Sequence, residues 1–85
     1  MSKFYTITEI VEVEKKAYMT TNNHMKDRAE AINMFLTRKR MLEQTIGIEI
    51  LTNEYKDEID ELWGLIKIIT LNGVTIELAF GETEL

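Results

Sequence analysis

The chain has no cysteine and no proline, and among its 85 residues there are only four glycines, one serine and one histidine. Each shortage closes off chemistry. Without cysteine there is no disulfide, no thiolate zinc site and no thiol nucleophile. The lone serine, Ser2, stands in a segment expected to fray, and nothing pairs a threonine with His24, so no activated hydroxyl beside a base is evident. One histidine cannot supply the usual zinc ligand set. The glycines are isolated, which leaves no phosphate cradle and no dinucleotide fingerprint. No apolar run approaches the roughly 20 residues that cross a bilayer. Met1-Ser2-Lys3-Phe4-Tyr5 lacks the basic, apolar, then small order of a secretory signal. The expectation is a cytoplasmic protein without a membrane span.

Carboxylates are plentiful but do not form a recognisable centre. Asp57-Glu58-Ile59-Asp60-Glu61 lacks the ligand spacing and central glycine of a calcium loop. No pair of acids stands out from the solvated surface as a general acid and base. The expectation is therefore no enzyme, no metal and no cofactor.

What is present describes a soluble globule. Hydrophobic residues make up 45% and charged residues 29%, with a net charge of -5. A chain of this length supports one core, so residues 1–85 are expected to form a single domain. The charge is zoned: residues 26–40 hold five basic side chains against Asp27 and Glu30, whereas residues 41–85 hold ten acids against Lys56 and Lys67. Overall acidity disfavours nucleic acid and favours either a basic partner or simple solubility.

Between Phe4 and Met19 apolar side chains recur at odd positions, the period of a strand with one buried face. Such a strand would be unusually long, so two strands turning near Glu14-Lys15-Lys16 are favoured, although no glycine or asparagine marks the turn. Thr20-Thr21-Asn22-Asn23 reads as a polar connection. Asp27 and Glu30 have capping-box spacing and start a helix that runs to Glu43 or Gln44, with a stripe of Ala31, Ile32, Met34, Phe35, Met41 and Leu42. Gly47 is placed to end it. Arg38 falls within the stripe, where it either snorkels or pairs with a carboxylate such as Glu49.

Ile46, Ile48 and Ile50 alternate as a short strand. Asn53 to Gly64 reads as a second helix, since Tyr55, Ile59, Leu62 and Trp63 follow helical spacing and Gly64 can cap it. Asn72-Gly73 between two apolar runs signals a hairpin. A two-residue loop would set Leu71 against Val74, Ile69 against Ile76, Lys67 against Leu78 and Leu65 against Phe80. Residues 81–85 are expected to be a loose tail. The sum is an α+β domain of order β-β-α-β-α-β-β, one main helix packed on an antiparallel sheet.

Two surface features could carry function. On the second helix, Glu54, Asp57, Glu58 and Glu61 would share a face, and Asp60 adjoins them. This row would offer carboxylates to lysines and arginines of a basic protein surface, imitating a phosphate backbone, and equally describes a solvated helix face. The alternative is a nucleic-acid contact by Lys26, Arg28, Arg38, Lys39 and Arg40, although cations near a helix C-terminus are also simply favourable there. Trp63 and Tyr55 fit either an interface anchor or the core. Lys67 and Glu9 on apolar faces suggest edge protection or a meeting across a symmetric homodimer. Direct nucleic-acid binding is disfavoured by the net charge.

The leading expectation is a non-enzymatic protein-binding module, an inhibitor or modulator of a basic nucleic-acid-handling partner. Its small size, acidity and lack of cysteine suggest a phage or mobile-element accessory protein.

Overall fold

The alternation in the first quarter of the chain resolves into two strands. The computed structural model describes residues 3–84, and in it β1 (Lys3–Val13) turns into β2 (Lys16–Met25) through Glu14 and Lys15, at φ 54° and 66°. Two successive left-handed residues make the mirror-image turn that matches strand twist. Left-handed conformations cost non-glycine residues roughly 1–2 kcal/mol each, and here Glu14 and Lys15 bear that cost where glycine or asparagine would be expected. Thr20-Thr21-Asn22-Asn23, read as a connection, lies inside β2 and pairs with β1.

Helix α1 (Arg28–Glu43) follows. Asp27 is its N-cap and accepts a hydrogen bond from the Ala29 backbone N–H at 3.0 Å, satisfying one of the open donors of the first turn. Gln44 caps the C-terminus, so Gly47 (φ 77°) lies beyond the helix and leads into the next strand.

There is one helix among the described residues. The segment expected to form a second helix is the hairpin of β3 (Ile48–Glu58) and β4 (Glu61–Thr70), turning at Ile59-Asp60, and the short strand expected at 46–50 is the start of β3. β5 (Val74–Glu84) completes the sheet. Residues 81–84, expected to be loose, pair with β1; Leu85 lies outside the described residues.

The sheet order is β2-β1-β5-β4-β3 with every neighbouring pair antiparallel. The observed order of elements is thus β-β-α-β-β-β, still α+β. β5 lies at its centre between β1 and β4, and β1 and β5 pair along their whole length, from Lys3 opposite Glu84 to Val13 opposite Val74.

Three residues, Leu71-Asn72-Gly73, join β4 and β5. Gly73 has φ 78° and its N–H donates to the Thr70 carbonyl at 3.0 Å, the arrangement of a three-residue loop with a terminal left-handed glycine. The extra loop residue moves the register by one from that of a two-residue loop. Ile68 faces Ile76, Ile66 faces Leu78 and Gly64 faces Phe80, while Lys67 falls opposite Glu77. The buried row of β4 is therefore Leu62, Ile66 and Ile68, not the odd-numbered residues.

All ten core residues (Tyr5, Ile7, Ala31, Phe35, Leu42, Leu62, Ile66, Ile68, Leu78 and Phe80) belong to α1 or to the face of the sheet beneath it. Phe35 is fully buried at its centre. Its ring lies over Gly64, where an added Cβ would stand 2.5 Å from the ring. Gly64 is flanked in register by Tyr55 and Phe80, and Phe35 stacks on both, at centroid distances of 5.8 Å and 5.1 Å. Gly64 thus forms the floor of an aromatic slot, in place of the helix cap its position suggested.

Ion pairs fix the flanks of α1. Arg38 bonds Glu9 of β1 at 2.6 Å, not Glu49, which explains both charged interruptions of apolar rows. Arg28 bonds Asp57 of β3 at 2.6 Å. Glu43 accepts from Lys39 at 3.2 Å and from the Asn53 side chain at 2.8 Å, tying the helix end to β3. Met34 and Met41, expected within the buried stripe, are exposed.

Two outcomes test this packing. Gly64→Ala should destabilise the protein by about 1–3 kcal/mol through overpacking, seen as a lower urea midpoint at unchanged m-value, and Phe35→Leu in that background should cost less than it does in the wild type. The hydrogen bond from Asn53, followed by that from Lys39, holds the Glu43 carboxyl below its usual 4.5. The stabilisation it gives is complete above that value and is lost as the pH falls through the depressed one. Denaturation midpoints measured between about pH 5.5 and pH 3 should therefore fall less steeply for Glu43→Gln than for the wild type.

Candidate functional site

With α1 covering one face, the opposite face of the sheet is left open, since no other described element lies against it. Alternation assigns its residues. β1 contributes Phe4, Thr6, Thr8 and Ile10; β5 contributes Thr75, Glu77, Ala79 and Gly81; β4 contributes Trp63, Leu65, Lys67 and Ile69. All of these are half-buried. Thr6 Oγ1 lies 3.1 Å from His24 Nδ1, and the Thr8 hydroxyl donates to Asn22 at 2.8 Å, so polar pairs order the β2 side. The β4 side is more apolar and ends at Trp63.

Trp63 stands opposite Gly81 on one neighbouring strand and Lys56 on the other. A Cβ at Gly81 would meet nothing within 4 Å, so the glycine leaves a notch beside the indole. The notch opens into a cleft of about 400 Å³ walled by Asp60, Glu61, Trp63, Glu82 and Glu84. The β3–β4 turn supplies Asp60, the first residue of β4 supplies Glu61 and the end of β5 supplies the last two, so register brings together residues more than twenty positions apart.

The carboxylates of this cleft differ in how they are held. Glu61 accepts from Lys56 at 2.7 Å and from the Trp63 indole N–H at 2.9 Å. These two bonds, that of Lys56 first, keep its carboxyl below the usual 4.5. Glu82 bonds Lys3 at 2.9 Å, which in turn raises the Lys3 ammonium above its ordinary value. Asp60 and Glu84 have no ion pair among the described residues.

The five acids singled out by sequence are dispersed by the strand conformation. Asp60 and Glu61 line the cleft. Glu58 is directly opposite Glu61 and lies 3.9 Å from Lys56, while Glu54 sits further along β3, opposite Leu65. Asp57 points to the helix side and is held by Arg28. A helical row of carboxylates is absent because the segment alternates with period two, which sends neighbours to opposite faces. Glu82, Glu84 and Gly81 were missed by sequence reading, which took the segment for a loose tail. The large and small alternation of Leu78, Ala79, Phe80 and Gly81 signals strand as far as Gly81, and the three polar residues after it carry no such signal.

The basic set is also broken up. Arg28, Arg38 and Lys39 are each paired with a carboxylate of the chain, and Asp57 raises the Arg28 guanidinium above its ordinary value. Lys26 and Arg40 have no ion pair among the described residues and flank opposite ends of α1, some 20 Å apart at 1.5 Å per residue. No group of His, Cys, Asp and Glu among the described residues has the geometry to hold a metal ion. No helix among them is long and apolar enough to cross a membrane.

Because Trp63 is the chain's single tryptophan, its emission reports directly on Glu61. The emission should titrate with a midpoint below 4.5, as protonation replaces the carboxylate that accepts the indole N–H; Glu61→Gln should abolish that step. Comparison of the chain with protein-family models, with curated proteins and with solved structures gives no match in any of the three.

Proposed function

We propose that this protein is a non-enzymatic binding module whose acidic end, at Trp63, takes up a cationic segment of a basic protein partner. The observation that carries this reading is the cleft at the end of the sheet lined by Trp63, Gly81 and the acids Asp60, Glu61, Glu82 and Glu84. Lysine and arginine side chains are long apolar stems ending in a cation. An indole favours both parts, by apolar contact and by attraction of the cation to its π-face. The carboxylates of Asp60 and Glu84 supply charge that no ion pair among the described residues takes up.

Electrostatic attraction of this kind sets encounter rate and partner choice more than it sets affinity. The apolar strip of Trp63, Leu65 and Ala79 next to the cleft gives a partner surface to bury. A protein that handles nucleic acid presents clustered lysines and arginines where phosphates bind, so occupation of that surface would compete with nucleic acid. In this reading the protein is an inhibitor or modulator of such a partner. The paired state of Arg28, Arg38 and Lys39 weighs against the alternative in which this chain itself contacts phosphate.

The test is titration of the protein with lysine- and arginine-rich peptides at low ionic strength, read by Trp63 emission. A saturable shift is expected, weakening as salt shortens the screening length toward about 8 Å at physiological ionic strength. Asp60→Lys combined with Glu84→Lys should reduce affinity on the order of tenfold or more without shifting the urea midpoint by more than about 0.5 kcal/mol in stability, because both side chains are exposed. No emission change at low salt, or an undiminished one in the double variant, would refute the proposal.

A further inference from the structure

The two outer strands of the sheet are guarded very differently. β3 carries Glu49, Glu54, Lys56, Asp57 and Glu58 and is interrupted by a register shift between Ile50 and Thr52. Charges and bulges of this kind are how a sheet edge avoids pairing with another strand. β2 has neither defence along most of its length. From Ala17 to Met25 it holds no Asp, Glu, Lys or Arg, its one register shift lies at the Ala17–Met19 end, and nine of its ten residues are exposed. Its outward N–H and C=O groups form an open template.

β2 also reads the same way in both directions. On the helix side its row is Met19, Thr21, Asn23 and Met25; on the open side it is Thr20, Asn22 and His24. An antiparallel pair of two β2 strands centred on Asn22 sets Met19 of each copy against Met25 of the other, Thr21 against Asn23, and Thr20 against His24. Apolar meets apolar, polar meets polar, and no two like charges are opposed.

The helix side is left unfinished in the matching place. Between β2 and α1 lies a mainly apolar cleft of about 280 Å³, bounded by Thr21 and Asn23 on the strand and by Met34 and Arg38 on the helix. A two-fold axis perpendicular to the sheet keeps both helices on one side. It thereby turns the cleft of each copy, with exposed Met19 and Met34, toward the same seam. A lone strand pair buries less than a stable interface needs, and exposed Met19 and Met34 beside the cleft are apolar surface available to add to it.

From these features we propose that the occupant of the β2 edge is a second copy of this chain, paired antiparallel about Asn22 to give a continuous ten-stranded sheet. The residues involved are separate from the acidic cleft, so the two proposals stand or fall independently.

Sedimentation of the intact chain across concentration tests the proposal. The wild type should shift from the mass of one chain toward that of two. Asn22→Lys and Asn22→Asp each place like charges across the axis and should weaken association on the order of tenfold or more. Mixing the two variants one to one should restore a dimer, a result that neither misfolding nor loss of a contact would produce. Glu54→Lys on the guarded edge should leave association as in the wild type. A single-chain mass for the wild type up to roughly millimolar concentration, or Asn22→Lys associating as the wild type does, would overturn the proposal. Asn22→Lys should retain the response of Trp63 emission to cationic peptides.

Discussion

The structure depends on the insertion of Phe35 against the bare backbone of Gly64. A two-layer domain of this size has little surface to bury, and its one helix must approach the sheet closely to exclude water. A side chain at position 64 would stand within the volume of the ring. Its absence lets Phe35 settle between Tyr55 and Phe80, so one aromatic cluster joins the helix to three strands at once. Burial of an aromatic side chain contributes about 1.5–3 kcal/mol by area, a large share of the 5–15 kcal/mol by which domains are stable.

Around that centre, charge orients what packing holds. Arg28 and Glu43 reach toward β3, and Arg38 reaches the other way to Glu9, so α1 is braced against both halves of the sheet. These are partly exposed pairs, each worth little alone. They also occupy three of the four cations of α1, Arg28, Arg38 and Lys39, within the molecule. Two of the acids without an ion pair among the described residues, Asp60 and Glu84, stand where the β3–β4 turn meets the end of β5, beside Trp63. One end of the molecule therefore carries carboxylates, and the uncovered face next to it carries apolar and hydroxyl side chains.

The topology has a kinetic consequence as well. The central pairing joins the first and last strands, so the sheet is complete only when nearly the whole chain has been gathered. Contacts so distant in sequence make folding slow relative to helical domains of equal length. The β1–β2 and β3–β4 hairpins are local units that can form first.

Local chemistry wrote much of this into the sequence. Asp27 starts a helix because its carboxylate meets an open N–H, whatever surrounds it, and alternating apolar residues in β1 demand a sheet face. The absence of cysteine, of a second histidine and of glycine-rich loops follows from composition alone. Other features were settled only by contacts between distant segments. The stretch from Asn53 to Gly64 has helical spacing and helix-forming residues. It is extended because β4 gains partners in β5, and because Gly64 serves as a floor for Phe35 more effectively than as a cap. The register of β4 on β5 turned on a single loop residue, and a shift of one residue exchanges the two faces of a strand. Which carboxylates stand alone was likewise undecided until folding brought Arg28 to Asp57 and Lys56 to Glu61. An ion pair depends on where side chains meet in space, and sequence spacing fixes that within an element but not between elements.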